Sequence, residues 1–144
     1  MIEQRRLTER ELNDLVTHAP DTEVRNLFTI LSDLGMVPYE FFDTYAIDHF
    51  GLLSDGRPLY VAVLTQNEEG KKEFWTVVNS GVKQPFSLCK YCKRELKRWV
   101  DKHGDIFATM EKVSSQNRKW TEWLGFRKIE ENSETITFKI SKGE

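Results

Sequence analysis

Two hydrophobic periods alternate along this chain, one close to 2 and one close to 3.6, and together they lay out its elements. Ile2–Leu7 reads as a first strand. Thr8 follows, with Glu11 three residues on, the spacing of a capping box in which each partner satisfies the other's backbone N–H. The helix it opens should bury Leu12, Leu15 and Val16 and show Glu9, Arg10 and Asp14 to water. Pro20 interrupts it. Asp21 then caps a second helix, on which Val24, Leu27, Phe28, Leu31 and Leu34 recur at helical spacing until Gly35. Tyr39–Asp43 reads as a helical turn packing Phe41 and Phe42.

The period then shortens. Tyr45–Leu53 and Pro58–Gln66 flank Asp55-Gly56, a dipeptide that suits a tight hairpin because both positions tolerate positive φ. Asn67–Lys72 is a polar turn, and Glu73–Val78 is the next strand, apolar on both faces like Leu59–Leu64. These three strands form an antiparallel meander. A basic amphipathic helix starts at Ser87. It should bury Leu88, Cys89, Cys92, Leu96, Trp99 and Val100, show Lys90, Lys93, Arg94 and Lys97, and end at Gly104. Ile106–Met110 is a strand that a right-handed crossover makes parallel to Phe74–Val78. Ser114 or Ser115 caps a short helix on which Trp120, Trp123 and Leu124 share one buried face. Gly125 and Phe126 stop it, as a left-handed residue followed by an apolar partner. In Glu134–Ile140, Thr135, Thr137 and Lys139 alternate with Ile136, Phe138 and Ile140, an edge-like strand with one wet face.

The 144 residues fit one domain, residues 1–144, with enough chain for a core. At 39% hydrophobic and 31% charged residues the chain is globular in composition. It has no run long enough to span a membrane and no secretory signal in MIEQRRLTERE, so the expected location is the cytoplasm. Cys89 and Cys92 read as buried helix-face cysteines. Three histidines (His18, His49 and His103) make no zinc pattern with them, and no metal site is expected.

Charge is unevenly divided. Residues 1–80 carry seven Lys/Arg against fourteen Asp/Glu, and residues 81–144 carry fourteen against nine. The basic excess around Lys83–Lys102 would attract a phosphate-bearing cofactor, nucleic acid or an acidic partner; the plain alternative is a solvated helix face. The acidic whole and the lack of a binding motif argue against nucleic acid. Hydrolase signatures such as Gly-x-Ser-x-Gly and His-x-x-x-His are absent. Trp75, Trp99, Trp120 and Trp123 read as core and groove lining.

The order strand, two helices, meander, basic helix, strand, short helix ending Leu124-Gly125-Phe126, strand resembles the GNAT (general N-acetyltransferase) superfamily over nearly the whole chain. The resemblance implies an α/β fold with a mixed, mostly antiparallel twisted sheet of about six to seven strands, flanked by helices and splayed between the central strands. Phe74–Val78, the helix start at Ser87–Lys93, the aromatic-Leu-Gly helix end and Lys142-Gly143 are similar to the small GNAT-like proteins of tailed phages. One branch of these is the internal virion protein A family of short-tailed phages. That likeness implies a role in virion assembly in the host cytoplasm, with a phage or host protein as partner.

For a GNAT enzyme the resemblance implies acetyl-CoA held along Val78, Ser80, Gln84, Ser87 and Leu88, with pyrophosphate at the basic helix's N-terminus. The usual Arg/Gln-x-x-Gly-x-Gly/Ala reads Gln84-Pro85-Phe86-Ser87-Leu88-Cys89 here, so side chains stand where close backbone approach was wanted. The family's tyrosine acid falls on Thr121, and its frequent asparagine on Ser114. Glu73 is the nearby candidate for a general base, against the plain reading of a strand-end surface carboxylate. The pattern therefore implies a degenerate acetyltransferase, with an active acetyl-CoA-dependent N-acetyltransferase as the alternative.

Overall fold

Asp55 and Gly56 take positive φ of 51° and 82°, which folds β2 (Ala46–Ser54) directly back on β3 (Arg57–Gln66). Paired positive φ is the type I′ geometry whose twist matches that of the strands it joins. A computed structural model describes residues 2–17, 31–79, 89–111 and 115–143. It contains a seven-stranded sheet in the order β1-β2-β3-β4-β5-β7-β6, flanked by helices. By its contacts the chain divides into two units, one of Met1–Gln66 with Trp75–Lys83, the other of Asn67–Phe74 with Gln84–Glu144. β4 (Lys72–Val78) gives its beginning to the second unit and its remainder to the first.

In the first unit, β1 (Ile2–Arg5) pairs antiparallel with β2, from Ile2 opposite Ser54 to Arg5 opposite Gly51. Helix α1 (Glu9–Thr17) begins at the expected capping box. The Thr8 N–H donates to Glu11 Oε1 at 2.9 Å, and the Glu11 N–H donates to Thr8 Oγ1 at 3.2 Å. Leu12, Leu15 and Val16 are buried as the pattern requires. Residues 31–34 end a further helical segment, in which Leu31 is buried. Leu34 is 45% exposed, contrary to the face assigned to it; it directly precedes Gly35, whose φ of 66° ends the helical segment. Pro20, Asp21, Val24, Leu27 and Phe28 lie outside the described residues. The aromatic turn is a full helix, α2 (Pro38–Tyr45), which buries Phe41 and Phe42. These pack with Leu7, Leu15, Leu53, Val61 and Val77 in one apolar cluster. The β3–β4 hairpin runs antiparallel: Trp75 Nε1–H donates to Thr65 Oγ1 at 2.9 Å and the Asn79 N–H to the Leu59 carbonyl at 2.9 Å.

In the second unit, α3 (Cys89–His103) buries Cys92, Leu96, Trp99 and Val100 and exposes Lys90, Lys93, Arg94 and Lys97. Ser87 and Leu88 lie outside the described residues. β5 (Ile106–Glu111) pairs parallel with β4, as the crossover demands. That ladder is short, Lys72 opposite Ile106 and Glu73 opposite Phe107, whereas β5 pairs with β7 (Thr135–Ile140) along its whole length. Ile136, Phe138 and Ile140 are buried on the alternating face.

Two expectations fail here. β7 is not an edge, because Arg127–Glu131 forms a further strand, β6, that pairs beside it and leaves every residue of its own exposed. The short helix α4 (Ser115–Trp123) leads Trp123 out to 44% exposure rather than into the core. Its buried face is built on Thr121, with Leu124 just beyond the helix. Ser114 lies outside the described residues, as does the side chain of Trp120.

Candidate functional site

Glu73 stands in the short parallel ladder opposite Phe107, half-buried, so it is neither a free surface carboxylate nor sealed in the core. Its neighbours in the second unit are aromatic. Phe74 meets Trp99 at 6.2 Å and Phe126 at 5.7 Å between ring centres, and the Lys71 ammonium lies 4.5 Å from the centre of the Phe107 ring. These contacts tie β4, α3 and the Leu124-Gly125-Phe126 stop into one packed unit.

That stop is a Schellman motif. The Phe126 N–H donates to the Thr121 carbonyl at 3.3 Å and the Gly125 N–H to the Glu122 carbonyl at 3.1 Å, while Gly125 takes φ 109°. Thr121, where the resemblance puts a tyrosine acid, is 7% exposed, and its Oγ1 lies 4.0 Å from Met110 Sδ. A threonine hydroxyl does not ionise in the range where a tyrosine could serve as an acid.

In the first unit, Trp75 is held between its bond to Thr65 and the Phe41 ring, 6.4 Å away, and Tyr45 lies 5.2 Å from the same ring. Val78 ends β4, and Asn79 follows it. Asn79 is 5% exposed and donates from its backbone to Leu59 and from Nδ2 to the Pro58 carbonyl at 3.4 Å. This buried amide anchors the end of β4 to β3. Ser80, Gln84, Ser87 and Leu88 lie outside the described residues. Sequence reasoning passed over Asn79, although an asparagine closing an apolar strand was a readable signal.

It also passed over His49 on β2 as a titrating group. Burial holds the His49 imidazole below its usual value; Arg6 adds to the shift, while Asp48 and Asp43 oppose it. The ring is therefore neutral at pH 7 and able to accept a proton. Among the described residues no three His, Cys, Asp or Glu side chains gather as a metal site, and no helix is long and apolar enough to cross a membrane.

No family model and no curated protein matches the sequence. Solved structures do match the fold. The ribosomal-protein-S18-alanine N-acetyltransferase of Escherichia coli is 12% identical over 98% of this chain and 94% of its own, with a TM-score of 0.66. Campylobacter jejuni N-acetyltransferase PseH, in complex with acetyl coenzyme A, is 13% identical over 99% and 100%, with a TM-score of 0.65. A protein assigned to the GNAT acetyltransferase family from Desulfovibrio desulfuricans is 12% identical over 98% and 99%, with a TM-score of 0.71. At such identities the likeness is one of fold, and the fold is that of the GNAT acetyltransferases.

Proposed function

We propose that this chain uses the GNAT fold as an interaction scaffold in phage or prophage virion assembly in the host cytoplasm, and that its acetyltransferase chemistry has degenerated. Thr121 carries the reading. The position implied for the acid holds a buried hydroxyl beside Met110 and not an ionisable group. Ser87 and Cys89 in place of the cradle glycines point the same way, because side chains there crowd the approach of pyrophosphate to backbone N–H groups. The phage setting rests on the resemblance across Phe74–Glu144.

The second reading is an acetyl-CoA-dependent N-acetyltransferase acting on a host or phage protein. It is favoured by Glu73, a half-buried carboxylate at the short β4–β5 ladder, and by the acetyl coenzyme A carried by PseH. In this reading Val78, Ser80, Gln84, Ser87 and Leu88 hold the cofactor, which supplies the acetyl group, and Glu73 accepts the proton from an amine.

Calorimetry with acetyl-CoA, followed by a thiol-release assay with lysate proteins as acceptors, separates the two. The scaffold reading expects no turnover, and at most weak, salt-sensitive binding. Micromolar binding with turnover that Glu73→Gln abolishes would establish the enzyme and overturn the scaffold.

A further inference from the structure

Two surfaces of this protein carry opposite charge around exposed apolar side chains. On α3, Lys90, Lys93, Arg94, Lys97, Arg98 and Lys102 face two acids, Glu95 and Asp101. Lys93 is committed to Trp123 and Arg98 pairs with Glu95. Arg94 and Lys97 are exposed and, among the described residues, make no ion pair. Trp123 is exposed next to Lys93. In the other unit, residues 33–48 contain Asp33, Glu40, Asp43 and Asp48 and no Lys or Arg. Leu34, Val37, Tyr45 and Ile47 in that stretch are each at least 38% exposed.

From this we infer that the Arg94/Lys97/Trp123 face is a docking surface for the acidic, apolar α2 face of a second copy of the chain. Charge complementarity selects this occupant. Exposed cations on a helix whose Lys93 meets an exposed indole would also suit a single-stranded nucleic acid. A long polyanion, however, would have to lie near a protein whose residues 1–80 hold twice as many acids as bases. A second copy turns that same excess into attraction. The contact joins two different surfaces, so it either forms twice across a two-fold axis or runs head-to-tail. A 15-residue helix is about 22 Å long. One face of it covers well under the ~800 Å² per partner of a standard stable interface. The association is accordingly weak and sensitive to salt. It does not depend on whether acetyl-CoA binds.

Sedimentation velocity of the full chain tests this. The expected result is a sedimentation coefficient that rises with concentration at low salt and returns to the monomer value at roughly 0.5 M salt, where charges are screened within a few ångströms. Arg94→Glu with Lys97→Glu, and separately Glu40→Lys with Asp43→Lys, each remain monomeric alone. Mixed in equal amounts they associate again, because each supplies the charge the other needs. Circular dichroism checks that both fold, and Arg94→Gln with Lys97→Gln serves if a reversal does not. A monomer at millimolar concentration and low salt overturns the inference. So does association that the reversals leave unchanged, or a mixture that stays monomeric. Binding of a fluorescent single-stranded oligonucleotide by a chain that does not self-associate gives the face to nucleic acid, and also overturns it.

Discussion

The Lys93 ammonium sits 4.6 Å from the centre of the Trp123 ring and donates a long bond, 3.4 Å, to the Trp123 carbonyl. One cation thus covers an exposed indole on α4 and satisfies a carbonyl at the end of that helix, where positive charge is favoured. Lys93→Met keeps the aliphatic stem and loses both contacts. It is expected to lower stability by about 0.5–1 kcal/mol, the usual worth of an exposed cation–π pair. Denaturant titration of Lys93→Met and Lys93→Arg checks it; arginine should recover most of the loss.

The entry to α1 is held by charge as well as by its cap. Arg5 donates to both Glu11 carboxylate oxygens, at 2.8 and 2.7 Å, while Glu11 also accepts from Thr8. The Arg5 hydrogen bond above all lowers the Glu11 pKa from 4.5 to about 2. The unfolded state therefore binds a proton at higher pH than the native state does. The stabilisation is complete above pH 4.5 and is lost as pH falls toward 2. Thr8→Ala should cost about 1 kcal/mol at pH 7 as a lost helix cap. Glu11→Gln should lose the charge-dependent part of the stabilisation at pH 7 and flatten the acid limb of a stability–pH curve, as read by thermal melts.

Much of this local chemistry was legible in the sequence, because its partners lie within a few residues of each other. The capping box, the Asp55-Gly56 hairpin, the buried face of α3 and the Gly125 stop all belong to this class. β6 was not legible. Arg127–Glu131 has no apolar alternation, and its strand state comes from pairing with β7, including a register shift between Lys128 and Glu130. Trp123 was placed on the buried face by spacing alone, since nothing in the local pattern announces that Lys93, thirty residues earlier, will cover it. In the candidate site, Thr121 could be read as a departure from the family pattern. Its burial against Met110, and the role of Asn79 in bonding to Leu59 and Pro58, depend on strands far apart in sequence.

His49 gives a pH dependence of the same sign as the Glu11 pair, but its cause is burial and not a charge partner. Its native pKa lies below the usual 6.5 because burial penalises the imidazolium. The unfolded chain takes up the proton first, so folding stability is full above about pH 6.5 and declines as pH falls toward the native value. Proton–nitrogen NMR should show the His49 ring titrating below the values of a model peptide. His49→Gln should remove this part of the pH dependence while leaving the acid limb of Glu11 in place.

Gly125 tests how much of the Leu-Gly-Phe signature is architectural. Its φ of 109° lies where an L side chain is strained, and a Cβ added there would stand 3.2 Å from Ile140 Cδ1 on β7. Gly125→Ala meets both obstacles at once, and the loss should exceed the ~1 kcal/mol typical of alanine forced to positive φ. Relief of the steric part is separable. Ile140→Val removes the offending methyl, so the double variant should recover some stability relative to Gly125→Ala, while the backbone strain remains. Urea midpoints for the two single variants and the double give the coupling between the sites directly. Zero coupling would mean that Ile140 does not press on this turn. A positive coupling of several tenths of a kcal/mol, the order expected for residues in contact, would show that the glycine is required by packing on β7 as well as by backbone conformation. Either requirement is architectural and holds whether or not the chain transfers an acetyl group.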